Sequence, residues 1–133
     1  MRYSLDANVV IAAMRKPYGA LVQHLRAQAS GSLVVCAVVR SEMFYGAMKS
    51  QHPARNLNLQ REFLASFPGA SFDDSAAEAF GEIRADLERQ GKPIGPYDMQ
   101  IAAIALANDL TLVTHNTREF SRIRGLKRVD WQK

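Results

Sequence analysis

A single cysteine, Cys36, is all the thiol this 133-residue chain has, so no internal disulfide can staple it. It lies in an apolar run, which reads as a small buried hydrophobe kept in a reducing cytoplasm. No stretch reaches the ~18 uninterrupted apolar residues that a membrane span needs. Asp6 breaks what could have been the apolar segment of an export signal. No repeat, low-complexity tract or long linker appears, and residues 1–133 are expected to form one domain. No glycine-rich loop follows any apolar run, which argues against a phosphate-cradling nucleotide fold. Neither a His–His pair nor a Ser–His–Asp arrangement is visible. His24, His52 and His115 read as surface or structural, with His115 set apart only by its place beside Asn116. Charge imbalance is small too: 17 Lys plus Arg against 13 Asp plus Glu leaves +4, which favours a polyanionic partner without requiring one.

What is present is an ordinary globular composition, 47% apolar and 23% charged, long enough to bury a core. Residues 2–5 read as a first strand, with a helix over about 7–14. Pro17 then starts a second helical stretch in which Leu21, Val22 and Leu25 recur at helical spacing. Residues 33–36 form a fully apolar short strand, as in a parallel sheet covered on both faces. Helices are expected over about 38–49 and again from Pro53, the second with Leu57, Leu59, Phe63 and Leu64 inward. Ala70–Phe72 is a weak strand candidate. Ser75 and Glu78 read as a capping box for a helix that buries Phe80, Ile83 and Leu87 and stops at Gly91. Pro96 suits the first turn of a helix that is apolar almost all round and must be central. Leu110–Val113 is a further buried strand, followed by a short helix near 117–122 and a last strand near 127–129. This alternation predicts an α/β fold with a parallel sheet and helices on both faces.

Acids follow the apolar runs: Asp6 after the first, Glu42 after the second, Asp98 in Gly95-Pro96-Tyr97-Asp98, and Glu119 just beyond Asn116 after the Leu110–Thr114 run. Open parallel sheets gather ligands outside the carboxyl ends of their strands, so these carboxylates would converge there. Held together they repel and raise one another's pKa unless a cation neutralises them, for which Mg²⁺ or Mn²⁺ is the natural candidate. Taken singly, each has a simpler explanation. Asp6 could cap its helix, Asp98 could complement a helix dipole, and Asn116 with Glu119 mimics a capping box. Glu42 resists this, because it sits on an otherwise apolar helical stripe with no Lys or Arg placed to neutralise it.

The chain resembles the PIN-domain ribonucleases, and among them the VapC toxins of bacterial toxin–antitoxin pairs. The resemblance is carried in order by Leu5-Asp6-Ala7-Asn8-Val9-Val10-Ile11, Glu42-Met43-Phe44-Tyr45-Gly46-Ala47, Ile94-Gly95-Pro96-Tyr97-Asp98-Met99-Gln100-Ile101-Ala102-Ala103 and Leu112-Val113-Thr114-His115-Asn116-Thr117-Arg118-Glu119-Phe120, and it ends in Asp130-Trp131. It implies a PIN-like three-layer α/β/α fold with a central parallel sheet of four to five short strands. The implied activity is a Mg²⁺- or Mn²⁺-dependent endoribonuclease, with tRNA, often at the anticodon loop, as the expected substrate. Asp6, Glu42 and Asp98 fall on the family's metal-binding acids. Many relatives carry Asp where this chain has Asn116, and Glu119 is favoured to supply that charge. Asn8 and Thr114, with Asn116, are expected to orient carboxylates or water; Cys36-Ala37 departs from relatives that carry Ser or Thr there. A cognate VapB-type antitoxin, a homodimer and a cytoplasmic location are further implications. The antitoxin tail is expected to bring an Arg or Lys to the acids along a groove near the 38–49 and 54–67 helices, where Met43, Phe44 and Tyr45 offer apolar surface.

Candidate RNA contacts are Arg84, Arg89, Lys92, Arg118, Arg122, Arg124, Lys127 and Arg128, with Arg84 and Arg118 put forward and Arg118 favoured by its place near the acids. The main rival is a non-catalytic PIN-like module that binds RNA or protein, in which Glu42 would be a costly relic. A haloacid-dehalogenase-type phosphatase expects a second Asp where this chain has Asn8. A carboxylate-pair glycosidase explains neither the placement of the acids nor the basic charge.

Overall fold

The computed structural model describes residues 1–132. Its core is a four-stranded sheet, all parallel, in the order β2-β1-β3-β4. The strands are β1 (Tyr3–Leu5), β2 (Leu33–Val34), β3 (Thr111–Val113) and β4 (Arg128–Val129). The helices are α1 (Ala7–Arg15), α2 (Ala20–Arg26), α3 (Ala37–Met48), α4 (Pro53–Leu64), α5 (Asp74–Gln90), α6 (Pro96–Ala107) and α7 (Thr117–Phe120). They flank the sheet to give a three-layer α/β/α fold. Register pairs Leu5 with Val113 and Val113 with Val129, so β1, β3 and β4 end side by side. Whatever follows those strands is delivered to one edge. Among the described residues no helix is long and apolar enough to cross a membrane.

Helix α6 is central, as its all-round apolarity predicts: Ile101, Ala102, Ala103, Ile104 and Ala105 are wholly buried. It packs on α5 and also touches α3 and β3. Pro96 opens it at a position whose N–H would be unpaired anyway. Arg40 pins α3 from the side, donating from Nε to the Val35 carbonyl (2.8 Å) and from Nη2 to the Phe67 carbonyl (3.0 Å). Gly91 ends α5 in the left-handed conformation expected of a helix-terminating glycine, with φ +67°.

Several local expectations need correction. Ala70–Phe72 is not a strand. In place of strand pairing, the carbonyls of Pro68 and Ala70 accept from Val35 N (3.0 Å) and Ala37 N (2.8 Å) just past β2. The cap of α5 is Asp73, whose Oδ1 accepts from Ala76 N at 3.0 Å; Ser75 lies inside the helix. The second helix begins at Ala20 rather than Pro17, because Gly19, at φ +98°, turns the chain first. Leu59 is exposed rather than inward, and Met43 is wholly buried, so the apolar surface of α3 comes from exposed Tyr45 and Met48 without Met43.

Candidate active site

Asp6 is the first residue beyond β1, and its backbone N–H donates to the Val113 carbonyl (3.0 Å), which carries the β1–β3 pairing one step past the strands. Its simpler role proves real. Asp6 is the N-cap of α1, with Oδ1 accepting from Ala7 N at 2.9 Å. Oδ2 is held as well, accepting from the Thr114 hydroxyl at 2.8 Å across two strand ends. Thr114, wholly buried, in turn accepts from Asn116 N (3.0 Å). One hydroxyl thus ties the end of β3, the entry to α7 and the Asp6 carboxylate into one unit. Burial raises the Asp6 pKa, and the bonds from Thr114 and Ala7 partly oppose it.

Glu42 reaches the same edge from the middle of α3. Its Oε1 is buried with no hydrogen-bond partner, a costly state for a carboxylate oxygen. Burial raises its pKa, and the charges of Asp98 and Asp6 raise it further. Asp98, in the first turn of α6, is pushed up to about 6, by burial first and then by the charges of Asp6 and Glu119. The acids from β1, α3, α6 and α7 therefore feel one another's fields, although they lie far apart in the chain. Cys36, wholly buried at the N-cap of α3, feels the same field. Burial pushes its thiol up, backbone N–H groups of Val39 and Val38 oppose this, and Asp6 and Glu42 add to it.

No basic side chain answers these carboxylates among the described ion pairs. The donor set is all oxygen and includes an orphaned buried atom, which suits a hard divalent cation. Among the described residues no group of three or more Asp, Glu, His or Cys side chains stands close enough to hold a metal ion together. Mg²⁺ does not require one, since it keeps several waters and takes one or two carboxylates directly. Asp6, Glu42 and Asp98 are the acids that could supply those one or two carboxylates, and the charge of Glu119 acts on Asp98.

Other expected residues divide. Glu119 acts electrostatically on Asp98, whereas the Asn116 side chain makes no cap bond and contributes only its backbone N–H to the Thr114 link. Asn8 is exposed on α1, with no hydrogen bond to the acids among the described residues. Much of the candidate basic set is engaged elsewhere: Arg84 with Glu88 (3.3 Å), Arg89 and Arg124 with Asp86 (3.8 and 3.6 Å) and Lys127 with Asp109 (2.8 Å). Arg122 donates to the Pro93 carbonyl (3.3 Å). Arg118 is exposed on α7 and has no ion pair among the described residues. A broad groove between α5, the end of α6 and Ile123–Arg124 lies apart from the acids, and its Asp86 is already paired.

Residues 3–126 match the PIN domain family. The chain is 37% identical over 131 residues to the tRNA(fMet)-specific endonuclease VapC of Shigella flexneri, with 98% of each covered. It belongs to the PIN family, in its VapC branch. Ribonuclease VapC2 of Haemophilus influenzae is 35% identical over the same span, again covering 98% of both. A chain of the DNA-bound VapBC of Salmonella typhimurium superposes with a TM-score of 0.93 at 34% identity, covering 98% of each chain. In this PIN domain the sequence had already singled out the acids and Thr114. It missed the pairing of His115 Nδ1 with Asp130 Oδ2 at 2.9 Å, which joins the turn after β3 to the end of β4. The adjacency of β3 and β4 creates that contact, and no local pattern announces it.

Proposed function

We propose that this protein is a divalent-metal-dependent endoribonuclease, the toxin of a VapBC pair, in which Asp6, Glu42, Asp98 and Glu119 form the catalytic acid set. The observation that carries this reading is the Glu42 Oε1 atom, buried without a hydrogen-bond partner, beside two further acids of raised pKa in a VapC-family chain. A module that only bound RNA or protein would retain this uncompensated charge at a cost in stability and gain nothing from it.

In this reading Asp6, Glu42 and Asp98 hold Mg²⁺ or Mn²⁺ and Glu119 supplies the outer charge. When bound, the ion acidifies a water and offsets charge on the phosphate and leaving oxygens. The chain's own contribution is orientation. Thr114 and the Ala7 N–H fix both oxygens of Asp6, so that carboxylate needs little reorganisation during turnover. The shielding of Glu42 Oε1 from water strengthens the attraction of that oxygen for a cation. Arg118, exposed on α7 immediately before Glu119, would attract the RNA backbone.

The substrate proposed is tRNA, by analogy with the relative named as a tRNA(fMet)-specific endonuclease, with the anticodon loop as the site cut. A VapB-type antitoxin, supported by the likeness to a VapBC complex, belongs to the proposal, together with a homodimer and action in the cytoplasm. Incubating the purified protein with total tRNA, with Mg²⁺ and then with EDTA, tests it. Discrete cleavage ends that vanish with EDTA are expected. Intact tRNA in Mg²⁺ and in Mn²⁺, under conditions where the fold persists, would refute it.

A further inference from the structure

His115 follows Thr114 on the turn that holds Asp6, and its imidazole is held by a carboxylate that is itself held. Asp130 Oδ2 takes His115 Nδ1 at 2.9 Å, and Asp130 Oδ1 accepts from Gln132 N at 2.9 Å. The Asp130 side chain is only 6% exposed and that of His115 is 66% exposed. A hydrogen bond at Nδ1 lies in the ring plane, so it limits rotation of the ring without covering either face. The contrast with His24 is informative: that ring lies stacked on Trp131, 5.4 Å between centroids and 7° from parallel, and its face is used in packing. Among the described residues no aromatic or cationic group covers a face of His115.

The tyrosines sort in the same way. Tyr3 packs on Trp131, and the rings of exposed Tyr18 and Tyr45 each carry a lysine ammonium, from Lys16 at 5.3 Å and Lys49 at 4.9 Å. Tyr97 is 59% exposed with no such cover among the described residues, and it immediately precedes Asp98. Two open rings thus lie one residue from groups of the acid set, Tyr97 next to Asp98 and His115 next to the Thr114 that holds Asp6. An anionic cup repels an RNA backbone, so affinity there benefits from contacts that carry no charge. Stacking of a base on a ring is such a contact, and a ring already held in orientation loses less freedom on binding.

We propose that His115 and Tyr97 are base-stacking residues that receive unpaired nucleotides next to the phosphodiester presented to the acids. The proposal rests on the ribonuclease reading above. In a duplex each base face is covered by its neighbours, and neither ring would find a partner. Asp130 acts as a positioning residue for His115.

The test uses the full chain carrying Asp98→Asn, so that RNA is bound without turnover, and a hairpin RNA with the cleaved position in its loop. His115→Ala and Tyr97→Ala should each weaken loop binding about tenfold, while His115→Phe and Tyr97→Phe, which keep a ring, restore most of it. Replacing one loop nucleotide by an abasic residue should weaken binding to the parent protein by a similar factor and leave one of the two alanine variants unaffected. In the active background the alanine changes should raise KM more than they lower kcat. Loop binding unchanged in both alanine variants, no recovery with Phe, or an abasic effect of equal size in the parent and in both alanine variants would each overturn the proposal. A protein that neither binds nor cuts RNA in Mg²⁺ would instead remove the ribonuclease reading on which it stands.

Discussion

Replacing Asp98 with Asn removes a carboxyl whose pKa is pushed up to about 6 by burial and then by the charges of Asp6 and Glu119. Its ordinary value is 3.8, so the metal-free folded protein holds this proton more tightly than the unfolded chain does. The sign follows: stability is greatest below about pH 4, falls as pH rises towards 6, and is flat above that. Asp98 is partly exposed, and after allowance for solvent screening the penalty at pH 7 is about 1 kcal/mol. Asp98→Asn should therefore abolish RNA cleavage yet raise the metal-free melting temperature at pH 7 by about 3 °C. Its melting curve should also lose much of the decline between pH 4 and 6, which calorimetry would detect. Mn²⁺ should act in the opposite sense on the unmodified protein, stabilising it more at pH 7.5 than at pH 5.5, because the acids must be ionised to bind it. For the outer charge, the coupling of Glu119 to Asp98 and the absence of any side-chain bond at Asn116 lead to one expectation. Glu119→Gln should lower turnover by at least tenfold and by more than Asn116→Ala does; the reverse order would assign the position to Asn116.

The turn after β3 does more positioning than its length suggests. Thr114 connects β3 to β1 through Asp6 and to α7 through Asn116 N. Valine would fill the same space without the hydroxyl, leaving Asp6 Oδ2 with no donor in a buried setting. Thr114→Val should cost about 2 kcal/mol of stability in urea unfolding and lower turnover roughly tenfold or more, as the loss of a ligand-orienting hydrogen bond does elsewhere. Cleavage at the wild-type rate would mean that Asp6 is held adequately by Ala7 N alone.

On the scale of the whole molecule, charge is divided between a net +4 chain and a local anionic edge. A polyanion would be drawn by the first and repelled by the second unless a cation intervened. A protein inhibitor can exploit the same split by presenting Arg or Lys to the acids. Co-expression with the product of the adjacent small reading frame should give a complex that survives pull-down and suppresses tRNA cleavage. A product that neither binds nor inhibits would defeat the toxin–antitoxin assignment while leaving the nuclease assignment standing.

Periodicity and punctuation are local properties, and they were enough to forecast the parallel α/β architecture, the central position of α6, the stop at Gly91 and the acids that follow β1, sit within α3 and open α6. Element ends were less legible. β2 and β4 have only two residues each, so a shift of one or two positions is a large part of the strand. Capping of α5 by Asp73 rather than Ser75 depended on where the chain entered the helix. Tertiary structure alone decided which side chains meet. Asp6 and Thr114 are joined across 108 positions because β1 lies next to β3, and His115 finds Asp130 because β3 lies next to β4. It also decided that Met43 turns inward while Tyr45 faces solvent, and that Arg84, Arg89, Arg124 and Lys127 are engaged in ion pairs whereas Arg118 is not among the described ones. The reason is that a helix or strand records its own repeat in its residue types, whereas the neighbour it will pack against is set by strand order, which leaves no repeat in the chain.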